Sequence, residues 1–535
     1  MKVTLFKHDL RPAPLILLAS LWLLLFHNHA FFGALVSDYP LGEGYMGFVI
    51  FVAIFLGAFI AFELALLSLV IPVRWGVSAV LLSAAATAFF MSNYGTVFDS
   101  IMIRNLVETN TTEAQDLLSW GLFQTIFLTA ILPILAIWKM PWAADPYLKR
   151  LRSCSIILAL SFLTMIACIA MYSANFTSFA REHRDMHVLA NPIYPIYSLV
   201  RYAQEVTPSW RDEGFHHLST YATITEDHEK PKLVILVVGE TARADHFSLN
   251  GYPRVTNPLL QQRQELISFP HVASCGTSTS ISLPCMFDYH GRDDFSVVQS
   301  ANEENILDTL ATAGVSVLWR DDNTGSKGIA DRVDFEDFTA PDMNTVCDTE
   351  CRDVGMIEGL QDYIALHPGS ILFILHQLGS HGPAYYLRYP KTFEVFTPAC
   401  QTNELSACDE ASLVNVYDNT ILYTDYFLNE VINFLEKNQE RFETSMIYLG
   451  DHGESLGEFG VYLHGLPYMF APEAQTNVPL IIWGGNSTTI DMAASEASKN
   501  EPYSHDQLVN TLLALFKVET DAYDPSIQTL IKTVD

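Results

Sequence analysis

The sequence predicts two domains, an α-helical membrane domain of five transmembrane helices followed by an exported α/β catalytic domain. Three observations predict it. Mean hydropathy is +0.19 over 535 residues, high for a chain lying wholly in water. Five apolar stretches, each near the ~20 residues that cross hydrocarbon as a helix, fall in the first third of the chain. Beyond them, apolar runs of strand length alternate with helical patterns, which is the mark of a sheet covered on both faces.

The apolar stretches are Pro14 to Phe32, Tyr45 to Val70, Trp75 to Met91, Trp120 to Trp138 and Ser155 to Tyr172. A basic start precedes the first, but no small-residue cleavage site follows Leu15 to Phe26, so it reads as an anchored helix rather than a removable signal. Lys2, Lys7, Arg11, Arg74, Lys139, Lys149, Arg150 and Arg152 mark the cytoplasmic segments. The loops Gly33 to Glu43 and Asn93 to Ser119 carry only Arg104 and face outward. Everything after Tyr172 is then exported. The expected organisation is a membrane domain over 1–173, an interfacial tether over 174–230 and a catalytic domain over 231–535. PIYPIYSLVRYAQEV mixes Tyr, Pro and Arg as an element lying against a membrane does.

Cysteines and charge agree with export. Cys275 and Cys285, Cys347 and Cys351, and Cys400 and Cys408 form three local pairs that read as disulfides of an oxidising compartment. None shows the Cys-x-x-Cys spacing of a zinc site. Basic and acidic side chains balance over 1–173, so the net charge of -30 lies on the exported residues. A nucleic-acid partner is excluded on that balance, because its backbone needs a basic footprint.

In open α/β sheets the site forms beyond the carboxyl ends of the strands. There LVILVV ends in Gly239-Glu240-Thr241, SMIYLG ends in Asp451-His452-Gly453-Glu454, and ILFILH is followed by Gly379-Ser380-His381-Gly382. Carboxylates and imidazoles at neighbouring strand ends suit a divalent metal, zinc above all. The bland reading is that Glu240 or Thr241 caps a helix over ARADHFSL. Between two cysteines, SCGTSTSISLPC offers Thr277, Ser278, Thr279 and Ser280 as nucleophiles, and could open a helix whose amides favour anionic groups. Spacing alone does not choose among these hydroxyls.

GETARADHFSLNGYPR, SCGTSTSISLPCMF, WRDDNTGSKG, LGSHGPAYYLRYP, YLGDHGESLGE and YLHGLPY, in this order behind five membrane stretches, resemble the phosphoethanolamine transferases that modify lipid A, the family of the colistin-resistance enzymes. The resemblance implies an alkaline-phosphatase-like catalytic domain and one or two zinc ions. It implies Glu240, Thr279, Asp451 and His452 as metal ligands, with Thr279 as the nucleophile that becomes phosphoethanolamine-modified. His381 and His464 match positions near the substrate phosphate, and Asn323 and Lys327 match positions that contact phosphoethanolamine. In IRNLVETNTTEAQDLL, Asn105, Thr109 and Glu113 lie on one helix face and match positions that hold the lipid donor.

The implied donor is phosphatidylethanolamine and the implied acceptor a phosphate of lipid A, at the periplasmic face of a Gram-negative inner membrane, with polymyxin resistance as the consequence. The alternative is transfer of phosphoethanolamine or phosphoglycerol to a core sugar or another envelope glycan. A sulfatase is disfavoured because no Cys/Ser-x-Pro-x-Arg signature surrounds Thr279. Glu63, inside the second stretch, is an intramembrane carboxylate without an assigned role. An acidic domain that approaches anionic lipid A is expected to carry its acidic residues mainly on faces turned away from the membrane, with no acidic rim beside Thr279.

Overall fold

The computed structural model describes residues 11–109, 111–141, 146–172, 179, 181, 183, 186–207, 214–225 and 230–533. Lys2 and Lys7, on which the orientation rests in some measure, lie outside them. The chain forms two compact units, one of residues up to 103 with 118–204, the other of 104–117 with 205 onward.

In the first unit, four helices among the described residues are long and apolar enough to cross a membrane: Met46–Val70, Val73–Tyr94, Trp120–Lys139 and Tyr147–Met171. The last begins earlier than expected, so Lys149, Arg150 and Arg152 lie on its first turns rather than in a loop. The first expected span is not straight. Its helix Pro12–Phe26 stops, and a second helical stretch over His29–Glu43 leaves at 59°. The cause is the polar His27-Asn28 step within the apolar run. Asn28 Nδ2 donates to the Leu23 carbonyl at 3.0 Å and to the Asn191 carbonyl at 2.7 Å. Asn191 Nδ2 donates in turn to the His27 and Ala84 carbonyls at 3.2 and 2.9 Å. Carbonyls freed at a helix break in an apolar interior need such donors. Interlocking Leu23, Val52, Leu56, Ile60, Leu81 and Ala85 form the core of this unit.

Of the expected tether, Ile193–Val206 is an amphipathic helix, while 174–178, 180, 182, 184–185, 208–213 and 226–229 lie outside the described residues.

The second unit holds strands β1 Ala222–Ile224, β2 Lys232–Gly239, β3 Leu266–Ala273, β4 Ser316–Asp321, β5 Asp334–Asp337, β6 Ile371–His376, β7 Glu443–Gly450, β8 Ser455–Leu456, β9 Tyr462–Leu463, β10 Asn477–Gly484, β11 Tyr503–Ser504 and β12 Val518–Thr520. Eight of them make one sheet in the order β11-β3-β10-β7-β2-β6-β4-β5. The stretch β7-β2-β6-β4-β5 is parallel, and β10 runs antiparallel to both neighbours. Continuous apolar runs are what parallel strands covered on both faces require, and every residue of β2 is buried. Alternate residues Val234, Leu236 and Val238 enter a core with Leu307, Leu310, Leu508 and Leu512 of the helices Ile306–Thr312 and Leu508–Phe516. The helix Glu410–Lys437 packs against β7. Asp409 caps it by accepting from the Ser412 amide at 2.9 Å.

Candidate active site

The parallel strands β2, β7, β6 and β4 all end on one side of the sheet, which places Glu240, Asp451, His376 and Asp321 at a common edge. Gly239 lets β2 reach that edge, because a side chain there would collide with the Tyr448 ring. Glu240 and Asp451 therefore project from adjacent strand ends.

Facing them is the helix Thr279–Met286, held in place at both ends of its loop. Cys275 is bonded to Cys285, and Thr277 Oγ1 donates to the Leu466 carbonyl at 2.6 Å. The neighbouring hydroxyls point to different partners. Ser278 Oγ lies 3.3 Å from Ser280 Oγ, Ser280 bonds the side-chain oxygen of Asn105, and Ser282 bonds the Asp451 backbone carbonyl. Of the four candidates, Thr279 is the one in reach of the strand-end groups: its Oγ1 lies 3.1 Å from Glu240 Oε2 and 3.2 Å from His452 Nε2.

The protonation pattern defines what this cluster can hold. His452 Nδ1 lies 3.0 Å from the Gly453 carbonyl, an acceptor, so Nδ1 carries the proton and Nε2 presents a lone pair. Burial and then the neighbouring His464 lower the His452 pKa to about 4, and the ring is neutral. Its Nε2 stands 3.5 Å from Glu240 Oε1 and 3.4 Å from Asp451 Oδ2. Both carboxylate oxygens are buried and accept no hydrogen bond. Burial and then Asp451 raise the Glu240 pKa, and burial raises that of Asp451 to about 6. Ligand atoms of Glu240, Asp451 and His452 all fall within 4.8 Å of one another. Acceptor atoms converging in a buried place without protons to share are what a divalent cation fits, and two carboxylates, an imidazole and a hydroxyl are a hard-to-borderline donor set.

The capping alternative does not describe Glu240 or Thr241. The chain beyond them forms two short turns, Ala244–His246 and Ser248–Asn250, and Thr241 Oγ1 is buried without a partner. Its backbone amide donates instead to Asp451 Oδ1 at 3.2 Å.

Around the cluster, Asn323 Nδ2 donates to Glu240 Oε2 at 2.7 Å and to the Gln377 carbonyl at 2.9 Å, so this amide orients the carboxylate. Asn105, Thr109, Glu113, Lys327, His381 and His464 line one narrow cleft with Thr279. Lys327 Nζ donates to the Thr324 carbonyl at 3.1 Å and lies 3.9 Å from Glu108. His381 Nε2 lies 3.5 Å from Glu113 Oε1. Burial alone would lower the His381 pKa, but Glu113 outweighs it and raises the group to about 9. His464 Nδ1 lies 2.8 Å from Glu454 Oε2, and burial lowers its pKa to about 4. All three expected cysteine pairs are bonded, Cys347 to Cys351 and Cys400 to Cys408 included.

The expectation that acidic residues avoid Thr279 fails. Glu108 and Glu113 line its cleft. Each faces a cation, Lys327 or His381, so the like-charge cost is offset locally rather than by distance.

Three supporting residues escaped the sequence reading. His376, the last residue of β6, pairs with Asp321 at 2.8 Å behind Glu240. Glu454 anchors His464. His505 receives the Cys275 amide at 3.1 Å and reaches the Gly450 carbonyl at 2.8 Å, tying the Cys275–Cys285 loop to the end of β7. The DHGES motif signalled Glu454; nothing local signalled His505.

A mixed sheet whose parallel strands end in carboxylates and imidazoles, facing a hydroxyl at the start of a helix, defines the alkaline-phosphatase-like class. The family model described as Sulfatase matches residues 232–518, and that described as Phosphoethanolamine transferase EptA/EptB matches residues 55–207. Phosphatidylethanolamine transferase Mcr-1 of Escherichia coli is 39% identical over 534 residues, covering 96% of this chain and 97% of the relative. Phosphatidylethanolamine transferase Mcr-2 of Escherichia coli is 38% identical over 528 residues, 96% of each. Among solved structures, the integral membrane protein lipooligosaccharide phosphoethanolamine transferase A (EptA) from Neisseria meningitidis superposes with a TM-score of 0.92 at 32% identity, over 97% of this chain and 98% of that one. The chain belongs to the phosphoethanolamine transferase family and is an enzyme of that family.

Proposed function

We propose that the protein moves phosphoethanolamine from phosphatidylethanolamine to a phosphate of lipid A through a phospho-threonine at Thr279, with zinc held by Glu240, Thr279, Asp451 and His452. The observation that carries this reading is the approach of the Thr279 hydroxyl to a buried acceptor cluster at the ends of β2 and β7. When bound, the metal supplies positive charge that lowers the pKa of the hydroxyl and offsets the phosphate charge.

The chain's own residues do the rest. Thr279 opens the helix Thr279–Met286, whose free amides favour an anionic group in front of it. Lys327 adds a cation to the same cleft. Thr279 Oγ1 attacks phosphorus as its proton passes along the hydrogen bond to Glu240 Oε2, and the bond to the diacylglycerol oxygen breaks in line. His381, protonated at neutral pH through Glu113, donates the proton to that oxygen. In the second half-reaction a lipid A phosphate oxygen attacks the same phosphorus, its own proton passing to His381, and Thr279 leaves with the proton returned from Glu240. The modified phosphate is zwitterionic, so the envelope attracts cationic peptides such as polymyxin less.

By the basic-residue pattern, the N-terminus is cytoplasmic and 231–535 lies in the periplasm, joined through the interfacial segment 174–230 to the membrane domain over residues 1–173. Mass spectrometry of lipid A and core oligosaccharide from cells expressing the full chain tests the reading. The expected product is lipid A carrying phosphoethanolamine, absent with Thr279→Ala. Modification confined to core sugars, or full activity of Thr279→Ala, contradicts it.

A further inference from the structure

Beside the Thr279 cleft lies a second cavity of about 270 Å³ that shares Glu113, Thr324 and His381 with it. Its walls carry five carboxylates, those of Glu113, Asp116, Asp322, Asp348 and Glu350, against one guanidinium, Arg388. The bonded pair Cys347 and Cys351 closes the short loop that brings Asp348 and Glu350 to the wall. Arg388 is shared between Asp116 and Glu350, and Arg352 serves Asp348. Negative charge is left over.

The excess has a definite place. Asp322 is 3% exposed, and its Oδ2 has no hydrogen-bond partner among the described residues. Glu350 Oε2 is also buried without a partner. A buried carboxylate oxygen without a donor costs free energy unless a ligand supplies one. Burial, with Asp353, Asp321 and Glu350 adding to it, raises the Asp322 pKa well above its usual range. Neither Asp322 nor Glu350 belongs to a group of His, Cys, Asp or Glu close enough to hold a metal ion among the described residues. Separated carboxylates of this kind suit a cation that brings its own N–H donors.

We propose that this cavity is the headgroup subsite, in which Asp322 and Glu350 accept hydrogen bonds from the primary ammonium of the donor lipid while its phosphate faces Thr279. The inference rests on the transfer reaction proposed above and adds to it a selectivity for headgroups with N–H donors. It also assigns a purpose to acidic side chains that would otherwise only repel an anionic acceptor.

The test uses the full-length protein in detergent micelles, with release of diacylglycerol from phosphatidylethanolamine, its N,N-dimethyl analogue and phosphatidylcholine as the readout. Methylation keeps the positive charge and removes the N–H donors in steps. The parent is expected to lose kcat/KM along this series, and Asp322→Asn to lose about tenfold to a hundredfold on phosphatidylethanolamine, as removal of a hydrogen bond to a charged group does. Asp322→Asn should therefore flatten the preference. Its thermal midpoint is expected to stay level or rise, since a buried unpartnered charge is removed, whereas a structural role would lower it. Glu350→Gln gives the same selectivity readout should Asp322→Asn fold poorly. If the parent releases diacylglycerol from none of the three lipids, the transfer reading itself fails. If it acts on phosphatidylethanolamine while both variants keep the parent's preference, or lose activity on all three lipids equally, the subsite is overturned.

Discussion

Replacing Cys275 and Cys285 together by serine tests how Thr279, the proposed nucleophile, is held. The bond closes a separation of 10 residues. For a loop of that length the chain-entropy relation gives about 9 cal/mol/K, or about 2.7 kcal/mol at 25 °C. Spread over the unfolding entropy of roughly 300 residues at about 2.1 cal/mol/K each, that is a fall of about 4 °C in the thermal midpoint. The effect on turnover should be larger than the effect on stability. The bridged loop carries the eight-residue helix Thr279–Met286, far too short to hold its shape alone, and the Cys275 amide is one of the bonds through which His505 ties this loop to β7. Scanning calorimetry of the full chain in micelles, paired with a diacylglycerol release assay, measures both. A variant melting within about 1 °C of a parent whose thiols are shown to be oxidised would refute the entropy argument. Unchanged turnover would refute the claim that the bridge positions Thr279.

Two further outcomes follow from the charges of the site. The His381 pKa is raised to about 9, so the acid role proposed for it is available through neutral pH and is lost as the pH rises past that value. The stability of its pair with Glu113 is present in full below the ordinary histidine range and disappears over the same alkaline window. Glu113→Gln removes the group that raises this pKa, so a pH–rate profile should show its alkaline limb moved toward neutrality; an unmoved limb would assign the acid elsewhere. Zinc added to chelator-stripped protein should raise the thermal midpoint, by the equivalent of about 2.7 kcal/mol at a hundredfold excess over Kd. Asp451→Asn should abolish that shift, and an equal shift in the variant would remove Asp451 from the ligand set.

The parallel core was legible because β2, β6 and β7 are unbroken apolar runs, and such runs leave their polar residues only at the ends, where Glu240 and Asp451 stand. β3 was not read as a strand. Its LISFPHVA mixes buried with half-buried positions, exposes His271 and contains Pro270, so its text lacks the continuous apolar signal of its neighbours. The bend after Phe26 was written in the sequence as His27-Asn28-His29, polar residues within an apolar run, but the partner that satisfies the break, Asn191, is 163 positions away from Asn28. The choice among the hydroxyls of SCGTSTSISLPC could not be made from spacing because all lie within a few residues. It depends on which carbonyl each one reaches, Leu466 for Thr277 and Asp451 for Ser282, and those contacts exist only in the folded chain. Residues 104–117 group with the catalytic unit although they separate two apolar spans in sequence, a long-range association that local pattern does not encode.

The central claim is that Thr279 carries the phosphoethanolamine between donor and acceptor. Incubating the full-length protein with phosphatidylethanolamine in the absence of lipid A, quenching in acid and sequencing the peptides by mass spectrometry tests it most directly. The account predicts a phosphoethanolamine adduct on Thr279 that disappears when lipid A is added before the quench. An adduct on another hydroxyl of the loop, or diacylglycerol released in step with enzyme but no adduct on the chain, would contradict it.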